Sequence, residues 1–379
     1  MQQNRCTRCV LAEDFPNITF DNDGICNYCH AWDKKWKNFD YIAAEQELKN
    51  IFNKARGKNK QYDCMVPFSG GRDSSYVLYL CKEKYGLNPL AVTFNNLFMS
   101  DYAMKNIFTT VAKLGVDHVM VSFRPKLLKQ FYSSMIRNGG EFCSICTSGI
   151  NYAIITYQRL FDIPLVLSGV STRVDEQSPF EIISSHPAYV RKVLQKNSFP
   201  EKDINALLIS RQFEMSALEK IKIKLSGTDY DRVSVPDFLP WDNQEIQDAL
   251  ENELDWQTPD KTKDHIDCRF APVKSFLKNK HIPNFIFKQQ KFSQLIRDGQ
   301  MTREEAINAL SEAIAREHIP PPEFPDFLNF FNFSEQDVEN RERKSHLDYI
   351  TKEDTVIKES MSFKLLSIPW KFTKVFRKR

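Results

Sequence analysis

Between residues 61 and 177 the hydrophobic and polar positions follow two alternating rhythms. Short apolar runs near 66–68, 89–94, 117–123 and 164–169 have the length of buried strands. Between them the apolar positions recur at helical spacing, over 74–85 (Val77, Leu78, Leu80, Cys81), 100–114, 125–137 and 147–161. Strand and helix in alternation predict a doubly wound α/β fold with a parallel sheet covered on both faces. Ligands of such sheets lie outside the carboxyl ends of the strands. Ser69–Ser74, Thr93, Asn95, Ser168 and Gly169 should therefore border one pocket.

The flanks are more helical. Residues 31–60 read as one helix and a polar linker, 178–224 as a polar insertion of weak pattern, and 243–254, 273–280 and 302–317 as helices. Pro320, Pro321 and Pro322 are expected to end the regular part. Residues 363–379 mix aromatic and basic side chains, which suits a docked or disordered tail or a peripheral membrane contact. The division this suggests is 1–60, a cysteine knuckle and lead-in helix; 61–177, the sheet domain; 178–334, a mainly helical substrate or partner region; and 335–379, a charged tail.

The first strand runs through Ser69-Gly-Gly-Arg-Asp-Ser74 straight into a helix. Two glycines allow a sharp turn and bring backbone N–H groups close to an anion, and the helix N-terminus adds partial positive charge there. The loop lacks the spacing and Gly-Lys-Ser/Thr ending of a Walker loop.

Nine cysteines form no secreted-miniprotein pattern. Cys6-x-x-Cys9 and Cys26-x-x-Cys29 supply four thiolates for a structural zinc site, with an iron–sulfur site or thiols without metal as alternatives. A second set, Cys143, Cys146 and Cys268, suits an iron–sulfur cluster with one open iron, a structural feature near the substrate, or partly buried thiols. Cys64 and Cys81 read as core.

With 379 residues the chain is long enough for about two domains. A formal net charge of +3 and 42% hydrophobic residues fit a globular protein and give no electrostatic signature of nucleic acid. No apolar run approaches the roughly 20 residues of a membrane span, and the N-terminus is unlike a secretory signal. A cytoplasmic location is the expectation.

The loop resembles the SGG(K/R)DS signature of PP-loop enzymes, which cleave ATP between the α and β phosphates and leave AMP on a substrate oxygen. Most of residues 1–317 resembles the N-acetyl sugar amidotransferases (WbpG/PseA-like) of surface-polysaccharide and nonulosonic-acid biosynthesis. The likeness runs through the cysteine pairs, Asp14-Phe-Pro-Asn-Ile-Thr-Phe20, the loop, Gly140-Glu-Phe-Cys143, Pro240-Trp-Asp242, Asp267-Cys268 and Ile296-Arg-Asp-Gly-Gln-Met-Thr-Arg-Glu-Glu-Ala306. It departs at Asn95-Asn-Leu-Phe98, where Asp-Asn-Gly-Phe is expected, and in the run after Ser168.

The resemblance implies ATP, Mg²⁺ and Zn²⁺, an N-acetylated sugar substrate, and ammonia from a separate glutaminase. It implies phosphate binding by Ser69, Gly70, Gly71 and Ser74, charge neutralisation by Arg72 and Mg²⁺ binding by Asp73. Arg173, Asp175 and Glu176 are candidate substrate contacts. A tRNA-thiolating PP-loop enzyme with a cluster on Cys143, Cys146 and Cys268 is the alternative.

Overall fold

The computed structural model describes residues 4–15, 17–58, 61–138, 141–175, 187–209, 231–258, 267–279, 286–316 and 318–339. Five parallel strands make one sheet: β1 (Cys64–Pro67), β2 (Pro89–Asn95), β3 (Asp117–Ser122), β4 (Leu165–Ser168) and β5 (Asp231–Ser234). Their order is β3-β2-β1-β4-β5. The chain winds outward from β1 to β3, then returns to β4 on the other side. The crevice beyond the carboxyl ends of β1 and β4 is therefore the switch point, where ligands of open α/β sheets bind.

Strand β1 belongs at the centre because both its faces are apolar. Met65 joins one buried cluster, while Cys64 and Val66 join the other. Strand β5 was not expected from the sequence, since Asp231-Arg-Val-Ser234 contributes a single apolar side chain, Val233. As an edge strand it needs little more: its backbone pairs with Leu165 to Ser168.

The segment 31–60 holds two helices rather than one, α1 (Asn27–Trp36) and α2 (Tyr41–Ala55). Asp40 explains the break, because its carboxylate accepts the Ala43 N–H and starts α2 afresh. Helix α3 (Arg72–Tyr79) follows the glycine loop, and α4 (Asp101–Leu114) starts at the Ser100 cap. Helix α5 (Pro125–Arg137) matches its expected bounds. Helix α6 (Cys143–Leu160) begins four residues before the expected 147, so Cys143 and Cys146 lie on its first turns.

Next come α7 (Pro187–Lys196), α8 (Glu201–Leu207), α9 (Asn243–Leu254), α10 (Ala271–Asn279), α11 (Ile286–Arg297) and α12 (Arg303–Ala315). Helices α13 (Phe324–Phe331) and α14 (Glu335–Glu339) correct the expectation that three prolines end the regular structure. The prolines stop one helix and leave the chain free to start another.

Helices α2, α3, α4 and α9 cover one face of the sheet, around Phe52, Leu78, Ile107 and Leu250. Helices α5 to α8, α10 and α13 cover the other, around Phe131, Ile154, Phe270 and Phe327. Among the described residues no helix is long and apolar enough to cross a membrane. The expected insertion over 178–224 is described only over 187–209, and the tail beyond residue 339 lies outside the described residues.

Candidate functional site

The glycine loop closes over the switch point with little spare room. Gly70 has φ +76°, and a Cβ there would collide with the Ala103 carbonyl oxygen. Its own carbonyl accepts Trp256 Nε1–H at 3.0 Å and Asn106 Nδ2–H at 3.3 Å, so the turn is anchored from behind. On the far side, a Cβ at Gly169 would lie 2.8 Å from the Asp73 carbonyl carbon. The end of β4 thus presses directly on the first turn of α3.

Within the loop, Ser74 Oγ donates to the Gly71 carbonyl at 3.1 Å and lies 3.3 Å from Ser69 Oγ. The N–H groups of Arg72, Asp73 and Ser74 open α3 and have no carbonyl four residues earlier in the helix. Together with the helix dipole they make an anion-binding concavity.

Arg72 and Asp73 face each other across that first turn. Arg72 donates from Nε and an Nη to Asp73 at 3.1–3.2 Å, and Trp241 Nε1–H donates to Asp73 Oδ1 at 3.0 Å. The Asp73 side chain remains 35% exposed. It fits a magnesium ligand once Arg72 leaves it, and Asp267 stands on the other side of the loop, its Cβ 3.9 Å from where a Gly71 Cβ would be.

Other expected contacts are spent inside the fold. Thr93 is fully buried, donates to the Phe68 carbonyl at 2.5 Å and accepts from His118 Nε2 at 2.8 Å, while burial lowers the pKa of His118. Asn95 Oδ1 accepts the Leu97 N–H at 2.9 Å, and Ser168 Oγ accepts the Val170 N–H at 3.1 Å. Leu97 keeps φ +77° at the position where glycine was expected.

Arg173, a candidate substrate contact, is 4% exposed and pairs with Asp298 at 2.8 Å and with the Tyr41 hydroxyl. Asp175 pairs with Lys291 at 2.5 Å, and Glu176 lies outside the described residues.

Cys6, Cys9, Cys26 and Cys29 are all buried, and their sulfurs lie within 4.8 Å of one another. Cys6 and Cys29 are 3.9 Å apart, Cys9 and Cys26 3.7 Å. A tetrahedral ion about 2.3 Å from each thiolate spaces its ligands by about 3.8 Å, so the quartet fits one zinc ion. Hydrogen bonding with Cys26 and Cys29 holds the Cys9 thiol down at about 6, and Arg297 adds to the effect. Arg297 donates to Cys29 Sγ at 3.4 Å and Cys9 Sγ at 3.7 Å, which offsets part of the negative charge that four thiolates leave on a divalent ion. Sequence reasoning missed this arginine, although it stands in the run Arg297-Asp-Gly-Gln300.

Cys143, Cys146 and Cys268 collect around Tyr132. The Tyr132 hydroxyl is 3.2 Å from Cys146 Sγ, and its pKa is raised by burial first, then by Cys146, Cys143 and Cys268. Burial and Cys143 push Cys268 up to about 12.

Solved structures with some likeness to the chain include the NH3-dependent NAD synthetase of Campylobacter jejuni (15% identity, 59% of this chain and 100% of that chain, TM-score 0.29). A U34-tRNA thiolase, NcsA, from Methanococcus maripaludis with its 4Fe-4S cluster is 13% identical over 85% of this chain and 91% of that chain, TM-score 0.35. The NMN synthetase of Francisella tularensis is 14% identical over 60% and 100%, TM-score 0.29. Among curated proteins, an uncharacterized protein of Methanocaldococcus jannaschii is 26% identical over 166 residues, 44% of this chain. The chain spans 58% of that relative's length.

Residues 284–363 match the family described as LPS biosynthesis protein WbpG-like, C-terminal domain. The described part of this matching segment grips the cysteine knuckle: Arg303 donates to the Cys9 and Cys6 carbonyls at 3.2 and 3.3 Å, while Ser293 and Gln289 accept from the Val10 and Ala12 N–H groups at 3.2 Å each. It also reaches the loop, because Gln300 Nε2–H donates to the carbonyl of Trp241, whose indole holds Asp73.

Proposed function

We propose that the protein is an ATP-dependent amidotransferase that converts the acetamido group of an N-acetyl sugar to an acetamidino group. One observation carries most of the support: the WbpG-like domain is built into the anion loop through Gln300, Trp241 and Asp73, so the family match and the loop belong to one site.

An acetamido carbonyl is a poor electrophile, and ammonia cannot displace its oxygen directly. Attack of that oxygen on the α phosphorus of ATP releases pyrophosphate and makes AMP the leaving group. Ammonia then adds to the carbon and AMP departs. The N–H groups of the first turn of α3, with Ser69 and Ser74, hold the outer phosphates. Arg72 moves from Asp73 to the developing charge, and Asp73 is freed for Mg²⁺, which neutralises phosphate oxygens when bound. This chemistry needs positioning and electrostatics more than a nucleophilic side chain. Ammonia comes from a separate glutaminase, because the chain has no evident glutaminase nucleophile.

A second reading, sulfur transfer to tRNA by the same adenylation, is favoured by the three thiols around Tyr132. The test is incubation with ATP, ammonium and a panel of N-acetylated nucleotide sugars. Mass spectrometry should find oxygen replaced by NH, with AMP and pyrophosphate formed, and Asp73→Ala should abolish both without unfolding the chain. ADP and orthophosphate as sole nucleotide products would sink the adenylation scheme, and ATP cleavage that depends on tRNA would favour the second reading.

A further inference from the structure

We propose that Asn106 and Trp256 are positioning residues: they hold the Gly70–Gly71 peptide in one orientation, so that the Gly71 N–H faces the outer phosphates of a nucleotide in the loop. The inference rests on the phosphate role given to the loop above and adds the residues that set its backbone. The Gly70 carbonyl points into the fold, where it accepts Trp256 Nε1–H at 3.0 Å and Asn106 Nδ2–H at 3.3 Å. Both donors are buried, Trp256 at 4% and Asn106 at 0% exposure. In a planar trans peptide the N–H lies opposite the C=O. The Gly71 N–H therefore points away from the core, and Ser69 Oγ accepts it at 3.4 Å, a long bond that a phosphate oxygen can replace. Gly70 is buried and Gly71 half-buried, as this orientation requires. Gly71 thus adds a donor to the concavity opened by the first turn of α3.

Such a peptide needs a lock. With no Cβ on either residue, a Gly-Gly peptide meets the least steric resistance to turning over. Turned over, it would present a carbonyl oxygen to the phosphates in place of a donor. The two donors behind the loop oppose that state, because the Gly71 N–H would then face Trp256 Nε1–H and Asn106 Nδ2–H, and buried donors left without an acceptor are costly.

The donors are themselves fixed by one short segment. Asn106 Oδ1 accepts the Gln257 N–H at 2.8 Å, and Asn106 Nδ2–H donates to the Gln257 carbonyl at 2.8 Å. Pairing with both sides of Gln257 decides which end of the Asn106 amide meets Gly70. Trp256 is the preceding residue, so α4 and the segment after α9 form one clamp. Both side chains lie behind the loop and act through its backbone.

The experiment is calorimetric titration of the full chain with inorganic pyrophosphate. Trp256→Phe keeps an aromatic ring and deletes one donor, and Asn106→Ala deletes the other; each should raise the pyrophosphate dissociation constant about tenfold. Lys105→Ala, which removes only the exposed contact of Lys105 with the Gln257 side chain, should bind as wild type. A second readout separates positioning from mere stability. In chain labelled with nitrogen-15 at glycine, the Gly71 amide resonance should move when pyrophosphate is added to the wild type and move much less in Trp256→Phe, at a temperature where both are folded. Should Asn106→Ala fail to fold, Trp256→Phe decides alone. A wild type that binds no pyrophosphate would remove the phosphate reading of the loop together with this inference. Wild-type binding with Trp256→Phe within about twofold of it, or equal movement of the Gly71 resonance in both, would overturn this inference alone.

Discussion

Replacing Arg297 by methionine removes the positive charge from the cysteine quartet while keeping most of the side-chain volume. Arg297 is 7% exposed and approaches two sulfurs at 3.4 and 3.7 Å. At an effective dielectric of about 20, two unit charges some 3.5 Å apart attract by about 5 kcal/mol, an upper bound before the cost of burying the guanidinium. Residues that hydrogen-bond to metal ligands typically alter metal affinity 10- to 100-fold, or about 1.4–2.7 kcal/mol. The expected result for Arg297→Met is therefore a zinc dissociation constant raised 10- to 100-fold, measured by competition with a chromophoric chelator. Without zinc the sign should change. The metal-free variant should melt no lower than the metal-free wild type, because methionine does not require a buried charge to be compensated. An affinity within threefold of wild type, or an equal loss of stability with and without zinc, would refute the electrostatic role and leave Arg297 as a packing residue.

Gly169→Ala should cost about 1–3 kcal/mol in urea unfolding, because the new methyl meets the Asp73 carbonyl carbon at 2.8 Å and neither backbone can yield easily; a change below about 0.5 kcal/mol would show that the contact relaxes freely. Trp241→Phe keeps a ring near Tyr76 but deletes the donor to Asp73, so pyrophosphate release should fall about tenfold with a small change in melting temperature. An unchanged rate in that variant would remove Trp241 from the positioning of Asp73. Phe327→Ala should cost about 3–5 kcal/mol, since this fully buried ring packs against Phe142, Phe270 and Phe331. Stability close to wild type would mean that the part of the chain after Pro322 is not integral to the core.

The sheet was legible where apolar runs are long and bounded. Strands β1, β2 and β4 show themselves because they are buried, and the edge strand β3 because Val119, Met120 and Val121 make an apolar run, whereas β5 is an edge strand with one apolar side chain that relies more on backbone pairing. The break between α1 and α2 was missed because no glycine or proline marks it, and Asp40 acts as the cap that starts α2. The anion loop was legible from its glycines. Its supports were not: Trp256 and Trp241 lie 186 and 168 residues away from the groups they hold, and no local pattern signals such a contact.

The same distance explains Arg173 and the run Arg297-Asp-Gly-Gln300. Arg173 looked like a ligand contact because charged residues after a strand end commonly meet substrate, yet its partner, Asp298, stands two residues before Gln300 and next to Arg297. Residues of one turn thus reach three partners: Arg297 the cysteine quartet, Asp298 the segment after β4, and Gln300, which also donates to Asp298, the tryptophan that holds Asp73. Loss of zinc would remove the sulfur partners of Arg297, leaving that turn held by its backbone hydrogen bonds to Gln294, Leu295 and Ile296 and by the Asp298 and Gln300 contacts. This turn links the quartet to the tryptophan that holds Asp73. Chelation of zinc should weaken nucleotide binding more than an equal loss of global stability elsewhere in the fold, and Phe327→Ala provides that comparison. Equal losses of nucleotide affinity at matched stability would mean that zinc stabilises the chain without orienting Asp73.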